Sequence, residues 1–103
     1  MLFAIYRISK PGTAHLLEQH LDEHRAYLKD YIKQFYLGGP LLNDDGEGRC
    51  GSLFVMEAPG RDYVEKFLAK EPYVKAGVFE SIYINRFTPA AEKGILLSEA
   101  GHD

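Results

Sequence analysis

Residues 2–8 form a nearly continuous apolar run broken by one charge, Arg7, and closed by Lys10-Pro11-Gly12, the pattern of a strand ending in a turn. From Thr13 the period lengthens. Leu17, Leu21, Leu28, Ile32 and Phe35 follow at spacings of four, seven, four and three, which gather on one stripe at ~100° per residue and predict a helix over residues 13–34. Phe35-Tyr36-Leu37 then leads into Gly38-Gly39-Pro40-Leu41-Leu42, a second strand whose glycine pair permits close backbone approach. Residues 43–51, rich in glycine and acid, read as a flexible connection, and residues 52–57 as a third strand. Pro59-Gly60 breaks that strand. Val64, Phe67 and Leu68 then share one face of a second helix over residues 62–70, which Pro72 ends or bends. Residues 78–87 alternate as a last strand, and residues 88–103 are a weakly patterned C-terminal tail, read as available to pack on a partner protomer.

The order βαββαβ predicts an α+β fold: a four-stranded antiparallel sheet with both helices on one face, the ferredoxin-like arrangement. In the first strand Ala4, Tyr6 and Ile8 point one way while Phe3 and Ile5 point the other, so both faces are apolar. Two helices cover one face. The other would be a large exposed apolar patch, and a second copy of the same sheet would cover it, so a homodimer is expected.

Composition narrows the function classes. The chain has 103 residues, enough for one domain. Twelve basic against fifteen acidic residues leave no cationic footprint, so neither nucleic acid nor a membrane surface is expected as a partner. Cys50 stands alone and has no internal disulfide partner, which points to a reducing compartment. The first residues lack the basic and apolar regions of a secretion signal, and no apolar run approaches a bilayer span, so a cytoplasmic location is expected.

Two polar residues fall where apolar ones belong. On the helical wheel, with Leu17 at zero, His24 lies about 20° away, at the centre of the stripe, while His20 lies about 60° off on its flank. In the second helix Glu71 would fall about 20° from the stripe begun by Val64 if the helix reached it. An inward carboxylate costs several kcal/mol unless it is paired, and an inward histidine is a natural partner whose tautomer it would fix. The bland alternatives are a histidine bonded to a backbone carbonyl and an acid solvated at a helix end. His20 and His24 have the i, i+4 spacing of metal ligands but no suitably spaced third, so neither a metal nor another cofactor is expected.

Gly39-Pro40-Leu41-Leu42, Gly51-Ser52-Leu53, His24-Arg25-Ala26-Tyr27-Leu28 and the run Glu71-Pro72-Tyr73-Val74-Lys75-Ala76-Gly77-Val78-Phe79-Glu80 resemble the YCII-related (YciI-like) family. The resemblance spans residues 1–87 and implies a dimeric α+β barrel of ferredoxin-like protomers. It also implies a histidine–aspartate active-site pair, carried here by His24 and by Glu71. Glutamate stands at the aspartate position and adds ~1.5 Å of reach. His20 occupies a position where relatives often carry arginine. Ser52 and Gly39 match family positions beside the pocket, and with His20 and Tyr73 they are the expected substrate contacts.

The leading reading is a small cofactor-independent enzyme. His24 and Glu71 would transfer a proton on a small anionic or phenolic molecule, in lyase, isomerase or dehydrochlorinase fashion. The second reading is a non-catalytic metabolite-binding or accessory dimer domain. Whether a cavity adjoins His24, and whether Glu71 reaches it, separates the two.

Overall fold

Side-chain alternation along the strands decides which residues meet the helices. In the computed structural model, which describes residues 1–97, the chain runs β1 (Leu2–Ser9), α1 (Ala14–Gln19), α2 (Leu21–Lys29), a 3-10 turn (Ile32–Gln34), β2 (Phe35–Leu42), β3 (Arg49–Glu57), α3 (Arg61–Lys70), α4 (Pro72–Lys75) and β4 (Phe79–Phe87). A two-residue hairpin, β5 (Ala91–Glu92) and β6 (Ile95–Leu96), follows. The sheet order is β2-β3-β1-β4 with every neighbouring pair antiparallel. This is the expected ferredoxin-like α+β arrangement.

Several boundaries differ from the sequence pattern, among them the end of the first helical stretch, where α2 stops at Lys29 and only the 3-10 turn reaches Gln34. The first helix is divided at His20, whose backbone (φ −105°, ψ 12°) leaves the helical range between α1 and α2. No proline or glycine marks that break, so the apolar period runs straight through it. β3 begins at Arg49, because Leu42 pairs with Arg49 across the hairpin and carries the ladder into the glycine-rich connection. The tail holds the β5–β6 hairpin, tied back to β2 by a hydrogen bond from the Tyr36 hydroxyl to the Glu92 carboxylate. The remainder of the 88–103 tail, from residue 98 on, lies outside the described residues.

The helix-facing side of the sheet carries the core. Phe3 and Ile5 of β1 and Phe54 and Met56 of β3 pack with Val64, Phe67 and Leu68 of α3, each at most 6% exposed. Phe67 is its centre. The rings of Tyr31, Tyr27, Phe35 and Phe54 surround it with centroids 4.8, 5.4, 5.8 and 6.3 Å away, mostly edge-on. Edge-on aromatic pairs add ~1 kcal/mol each beyond the area they bury.

The opposite side of the sheet is open in the protomer. Tyr6 and Tyr83 face each other across β1 and β4, 42% and 55% exposed. One glycine in the sheet is obligatory: a Cβ at Gly51 would lie 2.0 Å from the carbonyl oxygen of Arg7. Among the described residues, no helix is long and apolar enough to cross a membrane.

Candidate functional site

The same alternation that sends Phe3 and Ile5 into the core sends Arg7 there too. Its guanidinium, 1% exposed, lies between the rings of Phe54 and Phe79, 4.5 and 4.0 Å from their centroids. Two aromatic faces stabilise a desolvated cation. Arg7 Nε donates to Ser52 Oγ at 2.8 Å, and Nη1 stands 3.3 Å from Glu71 Oε2. That is an ion-pair distance, yet Nη1 makes no hydrogen bond among the described residues. Burial pulls the Arg7 pKa down to about 10 against the opposing charge of Glu71, so the group is a cation at neutral pH.

Glu71 is fully buried, and it is not part of α3. Pro72 disfavours helical dihedrals at the residue before it, so α3 stops at Lys70 and Glu71 turns extended (φ −70°, ψ 127°). It then becomes the N-cap of α4, with Pro72 in the first turn, and its Oε2 accepts from the Val74 backbone N–H at 2.9 Å. The other oxygen, Oε1, is hydrogen-bonded to His24 Nδ1. Burial works to raise the carboxyl pKa. The His24 hydrogen bond, the Arg7 charge and the Val74 N–H outweigh it and hold the group below its ordinary value.

His24 projects from α2, its side chain 13% exposed. Its ring lies flat on Tyr73, centroids 3.8 Å apart and planes 11° from parallel, and the Tyr73 hydroxyl donates to the Leu17 carbonyl at 3.1 Å. Burial raises the Tyr73 pKa against the pull of the nearby Arg49 and Arg25. With Nδ1 given to the carboxylate, Nε2 is the ring nitrogen without a hydrogen bond among the described residues. A buried anion at Nδ1 selects the tautomer with its proton on that side and leaves Nε2 as the basic lone pair.

His24 borders a cavity of about 570 Å³ between α2 and the sheet, large enough for a small organic molecule. Of the residues expected from sequence, His24, Ser52, Gly39 and Tyr73 line it, and Glu71 stands directly behind His24. His20 does not line it; its Nδ1 is 3.4 Å from Glu23 Oε1 on the helix surface. The arginines Arg7, Arg25 and Arg49 also line the cavity, and none of them is among the residues the sequence pattern marks as site candidates. Arg7 carried a readable signal, since a lone charge two residues after Ile5 shares its face of the strand. Arg49 lies in the glycine-rich stretch whose composition reads as a connection. Among the described residues, no group of three metal-ligating side chains comes together, and Cys50 is exposed.

The sequence profile of the YCII-related domain matches residues 1–88. Among solved structures, 5-chloro-2-hydroxyhydroquinone dehydrochlorinase (TftG) from Burkholderia phenoliruptrix AC1100, in complex with 2,5-dihydroxybenzoquinone, is 33% identical. The match covers 86% of this chain and 95% of that one, with a TM-score of 0.80. A protein from Agrobacterium tumefaciens, 12% identical, shares the fold alone; that match covers 94% of this chain and 100% of the other at a TM-score of 0.51. No curated protein matches the chain.

Proposed function

The chain belongs to the YCII-related domain family, and from that membership and the cavity beside His24 we propose that it is an acid/base enzyme moving a proton on a small organic molecule. The chemistry is of the lyase, isomerase or dehydrochlorinase kind. His24 is the catalytic acid/base through Nε2. Glu71 positions the ring and balances its charge when it takes up a proton. Ser52 offers its hydroxyl to the oxygen on which negative charge collects as a neighbouring C–H is deprotonated, and Arg7, which donates to Ser52 Oγ, holds that hydroxyl in place. Gly39 and Tyr73 shape the walls.

One observation carries this reading. A histidine tied at Nδ1 to a buried carboxylate presents its other nitrogen on a ring that borders a cavity. The activity of the 33% identical dehydrochlorinase, and the quinone bound to it, supports the same chemistry and a ring-shaped ligand. Chloride release and solvent-deuterium incorporation on 5-chloro-2-hydroxyhydroquinone and its unchlorinated quinol relatives test it. The expected result is turnover by the wild type and a loss of roughly 10²–10⁴-fold in His24→Ala with the fold retained. Equal rates in the two proteins, or no turnover by the wild type on these compounds and on aryl or alkyl carboxylic acids alike, would refute the proposal.

The open sheet face supports a homodimer. Tyr6, Tyr83 and Phe87 expose aromatic surface on that face. A second copy laid sheet to sheet covers that surface with matching groups and gives the dimeric barrel of the family resemblance. Light scattering at micromolar concentration is expected to return twice the 11.7 kDa chain mass; the mass of a single chain would refute the dimer.

A further inference from the structure

The charge of the cavity is at odds with the charge of the chain. The protein carries a formal net charge of −3, yet Arg7, Arg25, Lys29 and Arg49 line the cavity and, among the described residues, no aspartate or glutamate does. Arg7 is neutralised by Glu71 behind it. Arg25 and Arg49 are different. Neither forms an ion pair or a side-chain hydrogen bond among the described residues, and both lie close enough to Tyr73 to pull on its proton. They approach from opposite walls, Arg25 from α2 beside His24 and Arg49 from the first residue of β3. Unpaired arginines converging on an acid-free cavity make a site for an anion, and their planar forks match a carboxylate in particular.

The cavity also has an apolar wall. Leu28 lies one helical turn beyond His24, followed by Ile32 and Phe35, with Leu37 from β2. Ile32 and Leu37 are 59% and 50% exposed although they line it. Along β3, Arg49 and Phe54 are both lining residues, separated by five residues or about 17 Å of strand. The cleft is thus amphiphilic, with the guanidinium groups of Arg25 and Arg49 and an apolar wall that includes Leu28, Ile32 and Phe35 sharing one lining with the imidazole. Its volume of about 570 Å³ exceeds what a single six-membered ring fills.

We propose that the ligand is an amphiphilic organic acid, with a carboxylate held between Arg25 and Arg49 and an extended apolar body, aryl or alkyl, lying along Leu28, Ile32, Phe35 and Leu37. This names the substrate class of the cavity assigned above to acid/base chemistry and rests on that assignment for its catalytic meaning. Binding itself depends only on the arginines and the apolar arm. The two charges orient the ligand so that the atoms next to its acidic group pass His24 Nε2, and the apolar arm sets how long a body is accepted.

The test is titration calorimetry with three probes: biphenyl-4-carboxylate, biphenyl-4-carboxamide and benzoate. Biphenyl-4-carboxylate is expected to bind about tenfold more tightly than its neutral amide, and about tenfold more tightly than benzoate, which lacks the second ring. In an Arg25→Gln/Arg49→Gln protein the acid falls to the affinity of the amide, while the amide is unchanged. Both positions are exposed, so the double variant keeps the native fold. Ile32→Gln weakens the biphenyl acid and leaves benzoate alone. Equal affinity for acid and amide in the wild type, or an acid affinity indifferent to loss of both arginines, would overturn the proposal. A wild type that ignores the charge of the probe while losing turnover in His24→Ala would sink this inference and leave the acid/base reading standing; the reverse pattern would do the opposite.

Discussion

One face of β1 serves two regions that solve burial by opposite means. Phe3 and Ile5 enter an apolar region centred on Phe67, where stability comes from area removed from water and from ring packing. Arg7, two residues further along the same face, enters a region built of charge: guanidinium, carboxylate and imidazole in series, closed by the stacked ring of Tyr73. In the first region each residue stabilises largely alone, and a deletion costs the area and cavity it leaves. In the second, each group is tolerable only because of its neighbour. A buried ion pair adds little over an apolar pair of the same size, but half of one is very costly. The apolar region therefore holds the fold, and the charged region spends stability on keeping His24 in one orientation.

Breaking each region once exposes the contrast. Phe67→Ala is expected to lose about 4 kcal/mol in chemical denaturation. Glu71→Ala is expected to lose a similar amount, about 3–5 kcal/mol, because Arg7 is left desolvated and unpaired. Only the second loss should be reversible by a further deletion. An Arg7→Met/Glu71→Met protein is predicted to return to within about 1–2 kcal/mol of the wild type, whereas no second deletion near Phe67 restores the first. Additive losses in the charged region would show that its groups act independently.

A smaller effect sharpens the comparison through pH. The folded-state pKa of Glu71 lies below its ordinary value of 4.5, so its ionisation contributes stability that is fully present above that value. The contribution is lost as pH falls from about 4.5 through the depressed folded pKa. The denaturation midpoint of the wild type is expected to fall across that window, more steeply than that of Glu71→Gln, while Phe67→Ala keeps the wild-type slope. Parallel profiles for wild type and Glu71→Gln would show that the carboxylate is not held ionised by its partners.

The two regions were unequally legible in the sequence. Period and punctuation carried the sheet, its order of elements and the apolar region, because Val64, Phe67 and Leu68 announce themselves by spacing alone. The inward turn of His24 was legible for the same reason, as a polar residue at the centre of a helical stripe. Glu71 was expected inward by extending the stripe of α3; it arrives there by leaving that helix and capping the next, with Pro72 setting the geometry. Its pairing with His24 joins residues 47 apart in the chain, which no local pattern encodes. Arg7 obeyed strand parity but looked like an incidental charge. Arg49 was hidden because glycine-rich composition masked the start of β3, and the break at His20 carries no residue that signals it.

The double engagement of the Glu71 carboxylate fixes the proton inventory of the cavity. One oxygen is tied to the imidazole and the other to the backbone at the start of α4, with a guanidinium alongside. A proton landing on either oxygen would have to displace a donor already there. On the acid/base role proposed above, the carboxylate would be a spectator in the hand-off, the ring would hold one exchangeable proton at a time, and each cycle would have to return that proton to the product or to water before the next molecule is processed.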